Sequence, residues 1–156
     1  MLFFGDIFWQ IIILILGLCG FMVARHIHQH KKINAAPLVC PIGFDCNAVV
    51  HSDYSRFFGV PVEIFGMIYY VIISLSYLLF IFVPNIPNAL QLNLVALLIL
   101  ISLLAFLFSS YLIGVQVFIL KKGCSWCIVS AFICLFIFIL TALTYDFSSI
   151  GQIFVK

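Results

Sequence analysis

Residues 64–120 read IFGMIYYVIISLSYLLFIFVPNIPNALQLNLVALLILISLLAFLFSSYLIGVQVFIL, 57 residues with no acidic or basic side chain between Glu63 and Lys121. A bilayer core of ~30 Å takes about 20 helical residues at ~1.5 Å each, so this run is too long for one crossing and fits two. It carries its own breaker, Pro84-Asn85-Ile86-Pro87-Asn88. Two prolines within four residues oppose an unbroken helix, and the asparagines suit a turn. Working outward, a charge-free run of 18 lies between Asp6 and Arg25, and one of 23 lies between Lys122 and Asp146. Each fits one more helix. The apolar runs are continuous and do not alternate with period two, which excludes a closed barrel. The chain is therefore expected to be an all-α membrane protein. Four transmembrane helices, at about 7–24, 62–83, 90–120 and 124–145, form a bundle in a single domain over 1–156, with a polar loop over 25–60.

Composition agrees. Of the 156 residues 66% are apolar and 8% are charged, with a mean hydropathy of +1.34. A soluble domain needs about a quarter of its residues charged. That excludes a soluble enzyme, a nucleic-acid binder and a disordered tail, and a net charge of +2 is too small to imply an anionic partner. The N-terminus lacks a basic n-region and no small-x-small site follows the first apolar run, so the first helix is expected to be retained. The segment 25–60 is too short to fold alone and must lie over one membrane end of the bundle.

Six cysteines separate by position. Cys19 and Cys134 sit inside apolar runs, where a lone thiol packs as a small hydrophobe. Cys40 and Cys46 lie in the polar loop, and Cys124-Ser125-Trp126-Cys127 stands where the fourth helix begins. The loop precedes the second crossing and the second motif follows the third. An out-and-back trip returns the chain to the same face, so all four thiols share one membrane surface whatever the orientation. Cys-x-x-Cys at a helix start is a redox geometry. The first sulfur lies at the amide-rich positive end, which favours its thiolate, and the second is one turn away. Lys121 and Lys122 add positive charge just before Cys124. Cys127, slightly deeper, can meet an oxidant dissolved in the bilayer. Two alternatives stay open: a tetrahedral zinc site on the four cysteines, and a static disulfide beside two spare thiols. A five-residue spacer is wider than zinc sites usually use. His26, His28 and His30 suggest either a metal tract or, better, an interfacial polar flank with Arg25, Lys31 and Lys32.

Taken together, Cys40-x5-Cys46-x5-Ser52, then Ser55, Gly59-x-Pro61, Gly66, Tyr69-Tyr70 and Cys124-Ser-Trp-Cys127, resemble the vitamin K epoxide reductase family over nearly the whole chain. The resemblance implies a quinone-dependent catalyst of protein disulfide formation, using ubiquinone or menaquinone. Many bacterial and archaeal members carry a fused thioredoxin-like domain. This chain ends at Lys156 without one, so the resemblance implies a thioredoxin-like partner supplied in trans. Carried over by motif, Cys40 resembles the outer cysteine that exchanges with the partner, and Cys46 the shuttle that meets Cys124. Cys127 resembles the cysteine nearest the quinone, and Ser52 the loop hydroxyl near its ring. Phe58, Phe65, Tyr69 and Trp126 are candidates for lining the quinone pocket, or for an interfacial aromatic belt. Ala131 stands where the animal enzymes have a tyrosine, and Pro61-Val62-Glu63 offers no counterpart to their asparagine. These departures weigh against epoxide reduction and not against quinone reduction.

Orientation sets two rules against each other. Arg25, Lys31, Lys32, Arg56, Lys121 and Lys122 share the cysteine face, and only Lys156 and the terminal amine lie opposite. The positive-inside rule points the thiols to the cytoplasm. Disulfide chemistry and the family's usual topology point them outward, across a plasma (inner) membrane, and that orientation is expected here.

Overall fold

The computed structural model describes residues 2–33, 40, 43, 45–83 and 85–144. The chain folds into α1 (Leu2–Lys32), the short α2 (Cys46–Val50), a 3-10 turn (Asp53–Ser55) and a two-stranded hairpin, β1 (Arg56–Phe57) with β2 (Val60–Pro61). After these come α3 (Val62–Phe82), α4 (Asn88–Gly114) continued by a π-helical turn (Val115–Leu120), and α5 (Ser125–Thr144). Four of the helices are long and apolar enough to cross a membrane. The protein is an all-α four-helix membrane bundle.

The helix ends differ from the sequence expectation in one place that matters. α1 does not stop at residue 24; it runs on to Lys32. Charge ends the apolar run there, but Arg, His, Gln and Lys are tolerated in a helix and no Gly or Pro intervenes. At ~1.5 Å per residue the eight added residues lift the helix about 12 Å out of the apolar layer. The polar loop is shorter by the same eight. α4 with its π-helical turn covers Asn88–Leu120, close to the expected 90–120, and its 33 residues are well over a bilayer's need. α3 ends at Phe82 and α4 begins at Asn88, with Pro87 in the N-cap position at φ −53°. Pro84 of the expected breaker lies outside the described residues, as does Lys156.

α3 builds the centre. Tyr69, Tyr70, Ile73, Tyr77 and Phe80 repeat at helical spacing and are all buried. In lipid a buried hydroxyl has no water to turn to, so each tyrosine binds a neighbouring helix. Tyr69 donates to Ser102 Oγ of α4 at 3.2 Å, and Tyr77 donates to Thr141 Oγ1 of α5 at 2.9 Å. Tyr70 donates to the Ser130 carbonyl at 2.9 Å and also meets Ser130 Oγ and Cys134 Sγ. Gly17 and Gly20 let α1 approach this row closely. A Cβ on Gly20 would collide with the Tyr70 ring, and one on Gly17 would meet Ser74 Oγ at 2.6 Å. α1 packs on α3 and α5, and α5 packs on α4, whereas α3 and α4 touch sparsely. The bundle is thus looser on the side where α3 faces α4. The end of α1, the starts of α3 and α5, and the π-helical turn all meet at one end of the bundle.

Candidate redox site

Two short elements bring the loop onto that end. Asp45 caps α2, its Oδ1 accepting the Ala48 N–H at 3.2 Å, and its Oδ2 pairs with Lys122 Nζ at 2.7 Å. Hydrogen bonding from Lys122 holds the Asp45 carboxyl below its ordinary value of 3.8, with the Ala48 amide adding to the effect. The clasp joins the loop to the residues that precede Cys124. One of the two lysines expected to favour the thiolate therefore neutralises a loop carboxylate instead. A second tie is buried. Lys31 Nζ lies 3.1 Å from Glu63 Oε1 and donates to Ser55 Oγ at 2.9 Å, with both charged side chains about nine-tenths covered. The overhang of α1 thereby anchors the 3-10 turn and the start of α3.

Cys46 is the first residue of α2 and is 1% exposed. It is disulfide-bonded to Cys40, with a Cα–Cα separation of 5.9 Å. Cys46, Val49 and Val50 pack into one cluster with Ile27 of α1 and the fully buried Cys124, and Cys40, Trp126 and Cys127 pack against it. The four rim cysteines therefore converge on one cluster. Cys124 and Cys127 are free thiols.

Cys124 caps α5 through its sulfur, as serine does elsewhere: Sγ accepts the Cys127 N–H at 3.4 Å. Its own N–H donates to Gln116 Oε1 at 3.2 Å. The Cys124 thiol is held below the usual thiol range. The hydrogen bond with the Cys127 thiol contributes most, the Cys127 and Trp126 amides add to it, and burial opposes it.

Beside the cluster lies a cavity of about 360 Å³, and Cys127 forms part of its wall. Ser52, Glu63 and Gln116 supply polar groups to the same wall, and Phe65, Tyr69 and Phe108 supply aromatic surface. Ser52 Oγ donates to the Val49 carbonyl at 2.7 Å. Of the residues that the sequence marked, Cys127, Ser52, Phe65 and Tyr69 meet at the cavity, while Cys40, Cys46 and Cys124 lie beside it in the cluster.

Two marked aromatics are placed elsewhere. Phe58 is 91% exposed at the hairpin tip, with φ +53° followed by Gly59 at +80°. A two-residue turn of this kind needs positive φ at both positions, and it turns the Phe58 ring away from the bundle. Trp126, one residue before Cys127 on α5, points to α1 and lies 4.9 Å between ring centroids from His26. Sequence reasoning missed Gln116, Glu63 and Lys31. The signal for Gln116, a costly amide within an apolar membrane run, is shared by Gln91 and Asn93 and does not single it out.

A sequence model of the vitamin K epoxide reductase family matches residues 11–142. The chain belongs to the vitamin K epoxide reductase family. A search among curated proteins found no match. The matched stretch holds all four rim cysteines, the cavity wall and all but the outer ends of the first and last membrane helices. Membership in the vitamin K epoxide reductase family makes the chain a multi-pass membrane oxidoreductase of the disulfide type, in a family linked in general to quinones.

Proposed function

We propose that the protein oxidises a thioredoxin-like partner supplied in trans and passes the electrons through Cys40/Cys46 and Cys124/Cys127 to a quinone, ubiquinone or menaquinone. The observation that carries this reading is the shared cluster of both cysteine pairs, with Cys127 alone among them reaching the cavity. The cavity suits such a molecule. Its volume falls in the range of small-molecule sites, its wall is mainly apolar, and a few polar groups share that wall with the redox sulfur.

A partner thiolate attacks the Cys40 sulfur, and the Cys40–Cys46 bond breaks with the electron pair leaving on Cys46. The partner's second thiolate then releases Cys40, so the partner departs oxidised and the loop is a dithiol. Cys46 attacks Cys124 of an inner Cys124–Cys127 disulfide, which frees Cys127 as a thiolate. Cys40 resolves the Cys46–Cys124 bond, restoring the loop disulfide and leaving an inner dithiol. A bound quinone supplies the acceptor for two electrons and two protons. Cys127, at the cavity wall, is the sulfur that delivers them, and the Cys124–Cys127 disulfide re-forms. When Cys40 resolves the mixed disulfide, Cys124 leaves as a thiolate, which its capping position favours. The cysteine face lies outside a plasma membrane in this reading. The zinc alternative is disfavoured because two of its four ligands are joined as a disulfide.

The test is anaerobic mixing of purified protein, a reduced thioredoxin-like protein and a soluble quinone, followed by quinone absorbance. Wild type should reduce the quinone and Cys127→Ala should not, while still assembling as a helical bundle. Equal rates with and without Cys127 would overturn the reading.

A further inference from the structure

An anionic sulfur at Cys127 has an unfavourable setting. The cavity wall is mainly apolar, and the groups facing it include the Glu63 carboxylate of α3, which is paired with Lys31 of α1. Tyr54, Tyr69, Tyr70 and Cys134 are the other titratable groups on that wall, and Cys124 lies one helical turn away. A thiolate there needs a hydrogen-bond donor. Three of the hydroxyls on the wall donate elsewhere. Ser52 donates to the Val49 carbonyl, Tyr69 to Ser102, and Tyr70 to Ser130.

Gln116 is not committed in that way. It is 5% exposed, and its oxygen accepts the Cys124 N–H at 3.2 Å. A main-chain N–H can only donate, so chemistry fixes which end of the amide faces Cys124. The NH2 group is left for the other side, toward the cavity wall that Gln116 shares with Cys127. The backbone is built to hold it. Gln116 lies in the π-helical turn, and its carbonyl accepts the Lys121 N–H and, at 3.2 Å, the Lys122 N–H. Lys121 adopts a left-handed conformation, φ +50°, to end that turn. Single π turns of this kind re-aim a side chain out of the regular helical register.

We propose that Gln116 is the hydrogen-bond donor that stabilises the Cys127 thiolate, one side chain serving both cysteines through its two ends. The role rests on Cys124 and Cys127 being the redox pair. When Cys46 attacks Cys124, the Cys124–Cys127 bond breaks and its electron pair leaves on Cys127; the Gln116 NH2 receives that charge. No proton need move in this step.

The test follows alkylation of Cys127 against pH by peptide mass mapping, in a Cys124→Ser background with the loop disulfide intact. Gln116→Glu keeps an oxygen for the amide of residue 124 but puts a carboxylate where the donor was. A merely structural cap would tolerate that change. As a donor, Gln116 should not be replaceable, so the alkylation midpoint should rise by at least one pH unit, about a tenfold loss of thiolate at a fixed pH below it. Gln116→Met, similar in length and apolar, should raise it as well and serves if the Gln116→Glu protein assembles poorly. A midpoint that stays in place in either folded variant would overturn the proposal. The measurement uses neither quinone nor partner, so its failure is distinct from a failure of quinone reduction.

Discussion

At the scale of single residues the chemistry turns on Cys124, whose sulfur doubles as the N-cap of α5. Its thiol lies below the ordinary value of 9.0, first through the hydrogen bond with the Cys127 thiol. The sign follows from that depression. The folded protein gains stability from the thiolate above the unfolded thiol value and loses it as pH falls through the folded one. Replacing Cys127 with alanine removes the leading contribution and leaves the amides, so the midpoint of Cys124 alkylation should move up towards 9.0. A midpoint that stays put or drops would mean the helix terminus alone sets the acidity. The cysteines were legible because their spacing and their place at run ends are written in the chain. Gln116 was not, because Gln91 and Asn93 are also amides in the same apolar run. Only the packing singles out the one that reaches Cys124.

At the scale of elements, the extension of α1 to Lys32 places a cation over the start of α3. Lys31→Ala would leave the Glu63 carboxylate covered and unpaired, at a cost of about 3 kcal/mol by analogy with broken buried pairs. Thermal unfolding in detergent should show the loss, and adding Glu63→Ala should recover part of it. Equal stability of Lys31→Ala and wild type would show the pair to be solvated. The α1–α3 contact carries a second prediction. Gly20→Ala drives a methyl into the Tyr70 ring and should destabilise by about 1–3 kcal/mol, the range for overpacked cores. A wild-type melting temperature would show that the helices can move apart freely. The number of long helices was legible from charge-free runs, since hydrocarbon thickness sets their length. The ends were not, because a charged residue ends solubility in lipid without ending a helix. The short α2, the hairpin and the π-helical turn leave no period for a sequence to display.

At the scale of the whole molecule, the bundle puts a disulfide-bearing loop, a Cys-x-x-Cys helix start and a cavity at one end, and leaves α3 and α4 loosely joined beside that cavity. That the two cysteine pairs share a face was legible from counting crossings; their union in one buried cluster needed the fold. Orientation is a whole-molecule property and follows the proposed chemistry. In intact cells reduced beforehand, a membrane-impermeant maleimide should label Cys40, and labelling only after lysis would place the site in the cytoplasm. The electron route itself requires Cys46 and Cys124 to bond directly. In a Cys40→Ala/Cys127→Ala variant only those two rim cysteines remain, and mild oxidation with diamide followed by peptide mapping reads their pairing. An intramolecular Cys46–Cys124 disulfide in most of the molecules is the predicted result; two free thiols, or cross-linked dimers alone, would contradict transfer between the loop and the helix.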